Sequence, residues 1–227
     1  MNNAKLLSSI EDAYRYLTKL KLASNITHKS KDLLPSKYSK RYYNTFHEGD
    51  YIKTFIVASE ENDYDIILND GSFFQFTARD NTDIHYSFFP RIEKTLSYDE
   101  YFEKYANDDN IESIDREYEY YLSTDRERIY PCPIRFDIAE SEYKEGTHAY
   151  AHLHIGIDTN IRIPFDKIIK PLSFVDFVVK NTYKQEWDRA YLYNENFKEM
   201  VEVLKNQSEM ISKDWFTDDE RKLIFIA

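Results

Sequence analysis

Leu6, Leu7, Ile10, Tyr14, Leu17 and Leu20 recur at intervals of three and four residues. That is the period of a helix with one apolar stripe, and it predicts an amphipathic helix over residues 3–22. The polar run SNITHKSKDLLPSKYSKRYYN, residues 24–44, breaks the period, and Pro35 disfavours helix in its neighbourhood. Four segments of strand character follow: YIKTFIVAS (51–59), DYDIIL (63–68), SFFQFTA (72–78) and DIHYSFFP (83–90). Asn69-Asp70-Gly71, between the second and third, accommodates the positive backbone angles of a tight hairpin, so an antiparallel meander is expected.

Beyond the meander, SYDEYFEKYA (97–106) sets Tyr98, Tyr101, Phe102 and Tyr105 on one helical face, and a more polar helix is expected around IDREYEYYL. Strands are predicted over PIRFDIA (133–139), AYAHLHIGI (149–157) and NIRIPF (160–165). Ser173, with Asp176 three residues on, has the form of a capping box opening a helix at FVDFVV, and Phe197, Met200, Val201 and Leu204 mark a helix near the C-terminus. There is no internal repeat and no low-complexity linker. The pattern predicts an α+β fold: one domain over residues 1–227, with an antiparallel sheet and flanking N- and C-terminal helices.

Composition narrows the chemistry. The 227 residues include 20 tyrosines and 15 phenylalanines, enough for a large core, but only four glycines, and neither G-x-G-x-x-G nor Walker spacing occurs. Classical nucleotide-binding folds are therefore not expected. Cys132 is the single cysteine, the N-terminus lacks an apolar signal core, and no apolar run approaches the length of a membrane span. A reducing, cytoplasmic setting without membrane association is the expectation.

The net charge of −11 disfavours a whole surface built to grip phosphates. Yet residues 1–41 hold nine Lys and Arg against three acids. Such asymmetry suits either a basic face that docks nucleic acid, with Lys37, Lys40 and Arg41 as contacts, or long solvated side chains flanking a helix.

Three of the six histidines fall within GTHAYAHLHIG, residues 146–156. In a strand, His152 and His154 share one face, and His148 stands just before it. Arg135 and Asp137 share a face of the preceding strand by the same rule. If the two strands pair across residues 140–147, these side chains converge, with Arg162 joining from the next strand.

That set suits phosphodiester chemistry. An imidazole moves protons near neutral pH, a guanidinium stabilises charge on phosphate oxygens, and an aspartate fixes a tautomer. The roles assigned are His152 as general base or acid, His148 or His154 as its partner, Arg135 and Arg162 on phosphate, and Asp137 orienting an imidazole.

The same imidazoles with Asp137 have the donor types of a transition-metal site, but H-x-x-x-H-x-H is not a helical H-E-x-x-H signature and no thiolate accompanies it. No bound cofactor or metal is assigned. Activity is expected to be metal-independent or to use a weakly held ion, and His152→Ala is expected to remove it with thermal stability nearly unchanged. The structural alternative is a polar sheet face paired with Asp137 and Glu140. His28, His47 and His85 are read as ordinary side chains, Cys132 as structural, and EYEYYL as core filling before base stacking.

The order R-x-D (Arg135, Asp137), H-x-x-x-H-x-H-x-G (His148 to Gly156), R-I-P (Arg162 to Pro164) and P-x-x-F-x-x-F-V (Pro171 to Val178) resembles the bacterial Domain of Unknown Function 2290 family over residues 130–190. Ala149 stands where the family pattern has proline after the first His, a departure that counts against a three-His metal site. A looser similarity is to small bacterial toxin proteins with closely spaced histidines after an R-x-D-like strand. These resemblances imply a role in a phage-defence or toxin system. Two functional readings result: a phosphodiesterase or nuclease, or a non-catalytic subunit that binds and regulates a nearby-encoded ATPase or nuclease.

Overall fold

The protein is described from a computed structural model, which covers residues 2–79, 82–92, 97–107, 110–128, 132–157, 161–206 and 208–223. The apolar stripe of the N-terminal segment forms α1 (Asn3–Lys19), capped by the Asn2 side chain on the Ala4 N–H. The polar stretch after it is not featureless. It contains β1 (Ala23–Ile26) and ends in α2 (Lys40–Glu48), which Ser39 caps and Gly49 terminates in a left-handed conformation.

The segment 51–59 corrects the sequence reading, because it is a helix, α3 (Tyr51–Glu60). Its β-branched and aromatic residues resemble a strand, but the buried positions Thr54, Phe55, Val57 and Ala58 follow helical spacing, and Asp50 caps the end by accepting from the Lys53 N–H at 3.0 Å. Burial on one face overrides the local β preference.

The meander follows as β2 (Ile66–Leu68), β3 (Phe73–Ala78) and β4 (Asp83–Phe89), with Gly71 at φ +90° in the predicted hairpin between the first two. After α4 (Tyr98–Tyr105) and α5 (Ile114–Arg128), which meet through Tyr98, Tyr101, Tyr118 and Tyr121, the chain adds β5 (Ile134–Ala139), β6 (Ala151–Ile155) and β7 (Arg162–Pro164). Strands β1 to β7 lie in sequence order in one antiparallel sheet of seven strands. A separate short ladder joins β8 (Lys167–Ile168) to β9 (Glu209–Met210).

The remaining helices are α6 (Pro171–Thr182), α7 (Lys184–Tyr193), α8 (Glu195–Asn206) and α9 (Asp218–Leu223). Here too a sequence assignment is corrected. Helix α6 opens at Pro171, whose missing N–H costs nothing in a first turn, and Ser173 lies inside the helix. Asp176 is no capping partner: it accepts from the Tyr16 hydroxyl and the Trp187 indole N–H, both at 2.8 Å, and ties α6 to α1 and α7. The result is an α+β fold with an antiparallel sheet and helices at both ends.

Strand alternation divides the sheet into two unlike faces. Phe74, Phe76, Ile84, Tyr86, Phe88, Phe136, Ile138 and Leu153 point one way and pack on α1, α6 and α8 with Leu6, Ile10, Leu17, Phe174, Val178 and Val201. On the opposite face, α2 and α3 cover only part of the surface, in a smaller cluster that includes Tyr38, Tyr42, Phe55, Phe73 and Phe89. The uncovered part is polar.

Buried ion pairs anchor the segment before α2 and alter the reading of the basic N-terminal region. The Lys37 ammonium, its side chain 3% exposed, donates to Asp65 Oδ1 and to the carbonyl oxygens of Asp32 and Phe76, each at 2.7 Å. Lys29 pairs with buried Asp63, Arg41 with Glu60 and Glu61, and Arg15 with Glu11 and Asp12. Lys37 is therefore a structural cation and not a free phosphate contact, whereas Arg41, more than half exposed, is paired only at the surface. Among the described residues no helix is long and apolar enough to cross a membrane.

Candidate active site on the polar face of the sheet

Register places the polar side chains in two rows across the strands. In one, His85 on β4 faces Asp137 on β5, which faces His152 on β6. In the other, Ser87, Arg135, His154 and Arg162 succeed one another from β4 to β7. Five of the six residues singled out from the sequence, Arg135, Asp137, His152, His154 and Arg162, line one cavity of about 710 Å3. Its roof is Tyr38, Tyr42, Tyr43, Phe46 and His47 from α2 and the turn before it. The sixth, His148, stays outside the lining; its ring packs edge-on against His152 at 5.0 Å, and its Nε2 lies 3.3 Å from Glu142 Oε2.

Asp137 is the hub. Its Oδ1 accepts from His85 Nδ1 at 2.9 Å, and its Oδ2 accepts from Arg135 Nε at 2.6 Å with His154 Nε2 at 3.2 Å. Burial alone would favour the protonated carboxyl, but the hydrogen bonds from His154 and His85 and the Arg135 charge outweigh it and hold Asp137 well below the usual carboxylate range.

The flanking imidazoles are pushed in opposite directions. His85 has both ring nitrogens on carboxylates, Nδ1 on Asp137 and Nε2 on Asp83 Oδ1 at 2.7 Å. Carboxylates only accept, so hydrogen bonds to both need a proton on each nitrogen, and this pairing favours the imidazolium. Burial opposes that charge, but Asp137 and Asp83 outweigh it and raise the His85 pKa. His152 instead directs Nδ1 at the Ala149 carbonyl oxygen, 2.9 Å away, which fixes the proton there and leaves Nε2 as a bare lone pair. Burial, only partly offset by Asp137, lowers the His152 pKa to about 4.

His85 was not recognised in the sequence. Its membership depends on the pairing of β4 with β5, strands separated by two helices, and on a face that period-two alternation alone does not join to Asp137.

Asp137, His152 and His154 each offer one ligand atom, all within 4.8 Å of one another, a spacing that would accommodate a metal ion. However, Asp137 Oδ2 already accepts the Arg135 Nε–H and faces His154. A divalent cation there would sit against a fixed guanidinium, so the arrangement is better described as a hydrogen-bonded cluster.

A family sequence pattern described as "Uncharacterized conserved protein (DUF2290)" matches residues 18–227, far beyond the 130–190 stretch that carries the motifs. The chain belongs to the DUF2290 family. No curated protein and no solved structure matches it. The chemistry open to this DUF2290 chain is set by the side chains around Asp137.

Proposed function

We propose that the cavity binds and cleaves a phosphodiester, as in a nuclease or phosphodiesterase. The observation that carries this reading is the placing of His85 between two carboxylates and of His152 Nδ1 on a carbonyl oxygen, on either side of Asp137 and beside two arginines, in one open cavity, which favours a proton on His85 and a free Nε2 on His152. Neighbouring groups held in opposite protonation states are the requirement for acid–base catalysis at one pH.

His152 Nε2 takes the proton from the attacking oxygen of water or a ribose hydroxyl as that oxygen bonds to phosphorus. As the bond from phosphorus to the leaving oxygen breaks, His85 delivers its proton there, the leaving oxygen taking the place of Asp83. Arg135 spends Nε–H on Asp137 and presents its terminal nitrogens, with Arg162 opposite, to the phosphate oxygens. Asp137 positions His85 and His154. The looser similarity of the R-x-D and histidine-rich strands to small bacterial toxin proteins is the ground for placing such an activity in a defence or toxin system.

The test is incubation of the purified chain with single- and double-stranded RNA and DNA and with cyclic nucleotides, with and without chelator. Cleavage of at least one class, retained in chelator, is expected. Exposed Leu192 and Tyr193, 67% and 84% accessible at the end of α7, favour the second reading, a partner-binding regulator. Cleavage that appears only after a partner captured from the host is added would support that second reading.

A further inference from the structure

A second, smaller cavity of about 170 Å3 adjoins the first and shares four wall residues with it: Phe46, Ser87, Arg135 and His154. We propose that it receives the nucleobase next to the scissile phosphate, making the substrate a nucleotide or nucleic acid; this rests on the phosphodiester reading of the larger cavity.

Three observations converge on a planar heteroaromatic ligand. First, apart from the Thr54 hydroxyl, the walls outside the shared residues are apolar, with Tyr51 stacked on Phe89 at 5.9 Å and Pro133 and Ile157 beside them. Second, the volume is well below the roughly 300–1,000 Å3 that encloses a whole small ligand, so it suits one part of a molecule whose remainder lies in the larger cavity.

Third, His154, 4% exposed, has a buried Nδ1 with no hydrogen-bond partner. Its Nε2 faces Asp137, which only accepts, so Nε2 donates there and Nδ1 is the polar atom on the opposite edge of the ring, away from the carboxylate. A buried polar atom left unpaired is costly, and a polar edge of a base would pair it. Phosphate held by Arg135 and a base seated against Phe46 and His154 are then adjacent parts of one ligand.

Calorimetric titration of the whole chain with inorganic phosphate, ribose 5-phosphate and the nucleoside 5′-monophosphates tests this. At least one nucleoside monophosphate should bind about tenfold to a hundredfold more tightly than ribose 5-phosphate, the usual return from stacking one base. Thr54→Phe, which fills the small cavity from α3, should abolish that difference and leave ribose 5-phosphate affinity unchanged. Phe46→Ala, at a position 37% exposed and therefore tolerant, should reduce it if the first variant does not fold. Equal affinity for nucleotide and sugar phosphate in the unmodified chain would overturn the proposal, as would a preference that survives both substitutions or an absence of binding by any of the ligands. Base preference without cleavage in the nuclease assay would leave the base pocket standing and remove only the catalytic reading.

Discussion

Asp65→Ala should destabilise the protein by about 3–5 kcal/mol, the usual cost of removing one partner from a buried ion pair. Asp65 is fully buried, and its carboxylate holds three donors: the Lys37 ammonium at 2.7 Å, the Tyr38 hydroxyl at 2.6 Å and the Phe76 N–H at 2.7 Å. Without it, the Lys37 amine keeps carbonyl partners only, and burial, which already lowers its pKa, is no longer opposed by the Asp65 charge. Urea denaturation followed by circular dichroism reads the loss. The double change Lys37→Met with Asp65→Leu should recover most of it, since no charge is then stranded. A cost below about 1 kcal/mol for Asp65→Ala would show that the pair does not anchor α2 over the sheet.

The second large effect concerns cleavage. His152→Gln and Arg135→Ala should each lower the turnover rate by about a hundredfold to ten-thousandfold, the usual range for a positioned acid–base group and comparable to the loss of a charge-stabilising donor. Glutamine is the more informative replacement at His152 because the residue is 2% exposed and packed between His148 and His154. Truncation to alanine would open a void, so the neutrality in thermal stability expected from the sequence does not hold for that change. Initial rates at saturating substrate, with melting temperatures measured in parallel, separate catalytic from structural loss. Full activity in His152→Gln would remove the base from the mechanism.

Much of this arrangement was legible in the chain because strands alternate with period two. Arg135 with Asp137, and His152 with His154, had to share faces once β5 and β6 formed, and the β5–β6 hairpin then placed them together. What was not legible depends on long-range pairing and burial. β1 becomes a strand through pairing with β2. Helix α3 wins over its strand-like composition because Phe55, Val57 and Ala58 find a surface to cover. Lys37 could not be distinguished from its exposed neighbours without the partner at Asp65, and His85 is drawn into the site only by β4 lying beside β5.

The dependence of cleavage rate on pH, in chelator, tests the central claim most directly. His152 must be unprotonated, and its lowered pKa places the acid limb near pH 4. His85 must be protonated, and its pKa is raised above 6.5, so activity falls on the alkaline side only above that value. The account predicts a bell with these two limbs, and loss of the alkaline limb in His85→Gln with the acid limb unmoved. An alkaline limb that persists unchanged in His85→Gln, or activity that vanishes in chelator, would contradict it.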